Sequence, residues 1–263
     1  LMELFGFLDA MISAASYREA LPYYCLPVFT KKEQADMEVH DLFHPLIEAP
    51  VANSITARGS ILVTGSNASG KSTFLKNIAV NSILAQTLYT CTANSYEAPF
   101  YKVMTSMALR DDLESGESYY IVEIRSLKRI LEEAAGEGKI LCIIDEVLRG
   151  TNTIERIGAS SRILAKLSAK NVLPFAATHD IELSYILEDL YENYHFEEEV
   201  KEHDVVFNYL LKKGRVTTRN AIRLLEMIGY DKEIIQSAKE AVREFEAQGI
   251  WRKIEDREKL SRK

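Results

Sequence analysis

The chain has 263 residues, 47% of them apolar and 27% charged, with a formal net charge of −7, the profile of a soluble globular protein with room for one large α/β domain or one domain and an appendage. The acidic balance argues against a sequence-independent DNA binder, since such binding is largely phosphate neutralisation by Lys and Arg, and no run approaches the ~18–20 apolar residues of a membrane span. Cys25, Cys91 and Cys142 form no C-x-x-C pair, which argues against a disulfide framework or a zinc site and for buried thiols, with a cytoplasmic location as the default expectation.

In chain order, Leu4, Phe5, Leu8, Met11 and Ile12 recur at helical spacing over residues 1–20, and Pro22 and Pro27 stop that helix. The chain opens at Leu1 inside this helix and reads as a piece of a longer protein. Glu38 to Leu42 reads as a short edge strand, followed by turns at His44-Pro45 and Pro50. His40 and His44 have no catalytic context and read as structural. The apolar run Ser60 to Thr64 leads into a glycine-containing loop and then a helix to about residue 87. Residues 93–109 read as two short strands broken at Pro99, and a helix follows over about 118–135. Lys139 to Ile144 is a continuous apolar run ending in Asp145-Glu146, the pattern of a strand buried on both faces. A helix at about 154–169 and a strand at 173–178 repeat the alternation, so the fold class is α/β with a largely parallel sheet flanked by helices. From Glu188 to Asp204 eight carboxylates stand against Lys201 alone, a solvated surface. Val205 to Leu211 reads as a further strand, and residues 219–248 as a helical segment in two pieces parted near Gly229-Tyr230-Asp231.

The chemistry is carried by three sites on this framework. Gly65, Ser66, Asn67, Ala68, Ser69, Gly70, Lys71, Ser72 and Thr73 spell G-x-x-x-x-G-K-[ST] between a strand and a helix, the loop whose backbone N–H groups close around nucleotide phosphates at a positive helix end. Lys71 is expected to reach the β- and γ-phosphates, and Ser72 to ligate Mg²⁺. Asp145, ending its strand, is the second expected Mg²⁺ partner, and Glu146 is positioned to polarise a water for in-line attack. Thr178-His179-Asp180 follows the next buried strand, which brings His179 to the same sheet edge as a γ-phosphate sensor.

These residues resemble one family over roughly residues 38–230. The string Thr64 to Thr73, then Asp111-Asp112-Leu113-x-Ser115-Gly116-x-Ser118-Tyr119-Tyr120-x-x-Glu123, then Asp145-Glu146-x-x-Arg149-Gly150-Thr151-Asn152-Thr153, then Ala177-Thr178-His179 look like the ATPase domain of the MutS mismatch-repair family. The resemblance implies a P-loop ATPase of the ABC type, with ATP and Mg²⁺ as cofactors, acting as a homodimer that sandwiches nucleotide between subunits. It implies that Ser118 is offered in trans to the partner's γ-phosphate, that Arg149, Gly150, Thr151 and Asn152 form an interface loop, and that Asn67 helps hold phosphate or the attacking water. Residues 1–25 would then end a core or lever region, 26–218 form the ATPase domain, and 219–263 supply a dimer contact. DNA would be engaged by segments outside this chain, with no membrane partner. The sequence departs from the family pattern at Ser66 and Ala68-Ser69, as a divergent branch would, and it has Pro50, Val51 and Ala52 where members stack an aromatic residue on adenine. A transporter or chromosome-organising motor would carry a Leu-Ser-Gly-Gly-Gln-like signature, which this sequence lacks. An ATP-binding assembly module with weak hydrolysis is the alternative to an active ATPase.

Overall fold

A computed structural model describes residues 1–66, 69–107, 119–149, 151–200, 205–216 and 221–253. The chain forms two compact units, Leu1–Glu197 with Asn208–Val216, and Glu198–Phe207 with Thr217–Lys263. In chain order the elements are α1 (Met2–Ala20), β1 (Val28–Phe29), β2 (Met37–Leu42), β3 (Asn53–Ala57), β4 (Ser60–Thr64), α2 (Lys71–Leu88), β5 (Ser95–Ala98), β6 (Lys102–Ser106), α3 (Tyr119–Ala134) and β7 (Ile140–Asp145). There follow α4 (Thr153–Leu167), β8 (Val172–Thr178), α5 (Ile181–Ile186), β9 (Tyr191–His195), β10 (Glu198–Val200), β11 (Val205–Phe207), β12 (Lys212–Lys213), α6 (Ala221–Ile228) and α7 (Lys232–Gln248).

Among the described residues the first unit holds a six-stranded sheet in the order β12-β9-β4-β8-β7-β6, parallel except for β12. Its central strands β4 and β8 are buried at every position, and β7 at all but its last, so side chains alternate between two cores. Ile61, Val63, Leu141, Ile143 and Phe175 point to one side, where Phe74, Leu75 and Ile78 of α2 pack. Leu62, Cys142, Ile144 and Ala176 point to the other, against Leu127 and Ile130 of α3 and Leu164 of α4. Each fully buried aliphatic contributes about 1.5–3 kcal/mol. The fold is thus the α/β class with a largely parallel sheet flanked by helices that the strand and helix alternation predicts.

A second sheet, in the order β1-β5-β2-β3, joins the α2-side core through Met37, Val39, Ile55 and Tyr96. It corrects the reading of residues 38–42 as an edge: β2 lies inside this sheet, antiparallel to both β3 and β5. The error arose because β3, Asn53-Ser54-Ile55-Thr56-Ala57, is short and polar and looks like loop. The two strands expected around Pro99 form, but in different sheets, β5 here and β6 on the six-stranded sheet.

Two further expectations change. The acidic stretch is not all solvated surface, because Tyr191, Tyr194 and His195 of β9 are buried beside β4. The strand expected at 205–211 forms only over β11, which pairs antiparallel with β10, while residues 208–211 are not strand and the next pairing, β12 with β9, lies beyond them. Cys91 and Cys142 are buried as expected, whereas Cys25 is half-buried, paired backbone to backbone with Cys91. In the second unit, α6 and α7 realise the two-piece helical segment, with Asp231 accepting the Glu233 N–H as N-cap of α7 at 2.9 Å.

Helix α1 has no buried residue among those described, yet it is tied to α2. Arg18 donates to the carbonyls of Leu88 (3.1 Å) and Tyr89 (3.2 Å) and to Thr90 Oγ1 (2.8 Å), placing a cation on the negative end of the α2 dipole, a contact of about 0.3–1 kcal/mol. Among the described residues no helix is long and apolar enough to cross a membrane.

Candidate functional site

The loop between β4 and α2 is shaped by two glycines that no other residue can replace without movement. Gly65 has φ +145°, and a Cβ there would meet the Phe196 carbonyl oxygen at 2.6 Å; Gly70, at φ +108°, caps α2, with the Tyr209 ring 3.1 Å from where a Cβ would stand. Lys71 opens the helix and is 5% exposed. Its Nζ donates to the carbonyls of Gly65 (2.7 Å) and Ser66 (2.6 Å), so the ammonium is folded over the inside of the loop. Ser72 and Thr73 follow in the first turn, the positive end of α2. Asn67 and Ala68 lie outside the described residues.

The neighbouring strands end level with this loop, since Thr64 pairs with Thr178 and Asp145 with Ala177. Parallel packing is what carries residues more than a hundred positions apart to one sheet edge. Glu146 continues the ladder, its N–H donating to the Ala177 carbonyl at 2.9 Å, and then turns left-handed at φ 59°. Its carboxylate pairs with Arg149 Nε at 2.8 Å and His179 Nδ1 at 3.4 Å. His179, aided by Arg149 and Lys71, therefore holds the Glu146 carboxyl below the usual range, and Glu146 raises His179 above an ordinary histidine against the opposing effect of burial. Among the described residues, Asp145 Oδ1 and Ser69 Oγ are buried without a hydrogen-bond partner.

Two side chains that sequence reading did not assign support these loops. Glu123 of α3, 3% exposed, accepts the Leu148 N–H at 2.5 Å; burial pushes its carboxyl up, against the backbone N–H groups of Leu148 and Arg149. Arg156 of α4 grips Asp180 through Nε (2.8 Å) and Nη2 (2.6 Å), with both side chains largely buried. Asp180 also stands 3.8 Å from His179 Nε2.

A cleft of about 450 Å³ opens between the loop and residues 44–53, with Glu146 among its lining residues. His44, Pro50, Val51, Phe196 and Tyr209 are among its walls. Tyr209 escaped the sequence reading because it lies far along the chain, in what looked like a strand. Phe196 is fixed edge-on to Phe74 at 5.8 Å. The structure brings Gly65, Ser66, Ser69, Gly70, Lys71, Ser72 and Thr73 together with Asp145, Glu146 and His179. Ser118 and Gly150 lie outside the described residues. Arg149 reaches the site through its pair with Glu146, Thr151 makes no contact there among those described, and Asn152 caps α4 by accepting the Ile154 N–H at 2.9 Å, which alone explains an asparagine there.

A family model for MutS domain V matches residues 61–246. The chain belongs to the MutS family. The chain is 30% identical over 201 residues to the DNA mismatch repair protein MutS of Thermus thermophilus, covering 74% of this chain and 24% of that protein. The corresponding protein of Methanosarcina mazei is 28% identical over 275 residues, 97% of this chain and 29% of the relative. MutS protein homolog 4 of Homo sapiens is 32% identical over 265 residues, 91% of this chain and 27% of the relative. The chain thus spans about a quarter of the length of these MutS relatives.

Proposed function

We propose that this chain binds and hydrolyses ATP and acts as a dimeric nucleotide switch in a MutS-like protein, coupled to DNA through segments outside the chain. The observation that carries this reading is that Glu146 reaches the same cleft as Gly70, Lys71 and Ser72. The cleft volume falls in the ~300–1,000 Å³ range of small-molecule sites. Lys71 would exchange its loop carbonyls for β- and γ-phosphate oxygens, and the α2 N–H groups would hold the anion. Ser72 and Asp145 would hold Mg²⁺, and the buried, unpartnered Asp145 Oδ1 fits a cation. Bound there, Mg²⁺ neutralises phosphate charge. Glu146 accepts the proton of the attacking water, and His179 follows the γ-phosphate from the adjacent strand end. The base lies along the apolar wall near Val51, with Tyr209 offering an aromatic face.

By family membership, Ser118 completes a partner's site in trans, and Arg149, Gly150, Thr151 and Asn152 form the interface loop of a homodimer, with residues 219–263 adding a dimer contact. The relatives' names support the DNA coupling, which rests on the remainder of such proteins. Glu146→Gln tests the reading: we expect turnover to fall by about 100-fold or more while ATP binding persists. Normal turnover in E146Q would remove Glu146 as the base.

One observation favours a second reading, an ATP-binding module with weak hydrolysis. Glu146 is engaged by both Arg149 and His179, and a carboxylate so held is a weaker base. ATPase rate measured against protein concentration separates the two: a composite site predicts a rate per subunit that rises with dimerisation, and a flat, low rate favours the module.

A further inference from the structure

Glu123 has no part in the hydrolysis scheme above, yet it is a carboxylate 3% exposed in the interior. A carboxylate that deep is tolerated only when it is hydrogen-bonded. Its Oε1 accepts the Leu148 N–H at 2.5 Å, the Arg149 N–H also favours the ionised carboxyl, and among the described residues Oε2 is buried with no hydrogen-bond partner, so the Leu148 bond is its one close contact. Leu148 belongs to the turn that leaves β7, and this turn is strained: Glu146 and Leu148 have φ of 59° and 56°. Left-handed geometry costs about 1–3 kcal/mol for each such residue and persists only where the surroundings enforce it. The enforcement is visible. The side chains of Val147 and Leu148 are buried in one core with Leu127 and Ile130 of α3, Ser160 Oγ of α4 donates to the Val147 carbonyl at 3.4 Å, and Glu123 secures the Leu148 N–H. The first residue of the same turn is Glu146, anchored to β8 through its N–H and facing the cleft through its carboxylate.

We propose that Glu123 is a positioning residue for hydrolysis: by holding the Leu148 N–H it locks the strained turn 146–148 in the conformation that aims the Glu146 carboxylate into the cleft. The inference deepens the reading of Glu146 as general base and rests on it. Without the acceptor the turn relaxes toward ordinary backbone geometry, and the carboxylate moves off line while the phosphate loop at 65–73 keeps its own bonds. A displacement of about 1 Å at a reacting group lowers rate by up to about 100-fold. Because Glu123 sits in the first turns of α3, which begins directly after Ser118, the same bond ties the helix that would follow the trans serine to the base of its own subunit.

The test compares Glu123→Ala, Glu123→Gln and Glu146→Gln in this chain, reading kcat, KM for ATP, and ATP affinity. E123A is expected to lose kcat at least about tenfold with ATP affinity within about twofold of the parent, and E123Q, which retains an acceptor oxygen, to recover most of the loss. Parent-like turnover in E123A overturns the proposal, as does a parallel loss of kcat and ATP affinity in both Glu123 variants. Should E123A be recovered unfolded, Glu123→Asp keeps the charge and withdraws the oxygen by one methylene; low kcat with retained ATP affinity supports the proposal, and parent-like kcat overturns it. E146Q keeps the failures distinct, since normal turnover there defeats the base assignment, whereas an inactive E146Q beside a fully active E123A defeats only the positioning role.

Discussion

The turns that leave β7 and β8 start level on adjacent strands, yet they are held by opposite means. After β7 the chain bends through two left-handed residues that are pinned by apolar side chains and by Glu123 on a backbone N–H. After β8 the bend at His179-Asp180 is relaxed and is held from outside by the bidentate Arg156–Asp180 pair. The first device fixes the backbone and aims Glu146 indirectly. The second fixes a side chain next to His179 and leaves that ring about half exposed. The carboxylate is thus held closely and the histidine loosely, an arrangement that would suit the base and the sensor of the proposed function.

The largest way to break the contrast is Arg156→Ala, which leaves Asp180 buried without a counter-charge. We expect a loss of about 3–5 kcal/mol in urea unfolding, and recovery of most of it in the double variant R156M/D180L, because a buried pair replaced by apolar groups of similar size is often neutral. A loss under about 1 kcal/mol in R156A would mean that the ion pair does not anchor the β8 turn. The β7 turn is probed by comparing Leu148→Ala with Leu148→Gly. Both forfeit the buried side chain, but glycine relieves the left-handed strain, so L148G should be the more stable by about 1 kcal/mol. The usual order, alanine above glycine, would show that the strain is not stored there.

The smallest effect concerns pH. His179 is raised above its ordinary value of 6.5, chiefly by Glu146. Its contribution to stability is therefore complete below the unfolded value and disappears as pH rises through the higher folded value. Denaturant unfolding of the parent and of His179→Gln over about pH 6 to 8 should show the parent's advantage shrinking toward the alkaline end. An advantage constant across that window would mean the pair with Glu146 does not persist in solution.

Much of this site was legible because its residues are contiguous or end strongly apolar strands. The string from Gly65 to Thr73 is a local motif, and Asp145 and His179 announce themselves by closing runs that only a doubly buried strand explains. What escaped depends on pairings with no sequence period. Arg156 lies unremarked in the helix at about 154–169, Asp180 merely follows His179 in its motif, and Glu123 is part of a motif without a stated task; only the packed structure sets each against its partner. Strands β3 and β9 escaped for another reason. Asn53, Ser54 and Thr56 in one, and Glu192 and Asn193 in the other, break the apolar patterns by which strands are found, and neighbouring strands supply the order that propensity does not.

Helix α2 joins two contacts that have been treated separately. At one end stands the phosphate loop, at the other the Arg18 grip from α1. An intact helix of 18 residues is a strut of roughly 27 Å, stiff along its axis because shortening it means breaking its ladder of hydrogen bonds. Under the proposed function, a displacement at the loop end of α2 would reach the Arg18 contacts nearly undiminished, and α1 would be the first element outside the site to feel it.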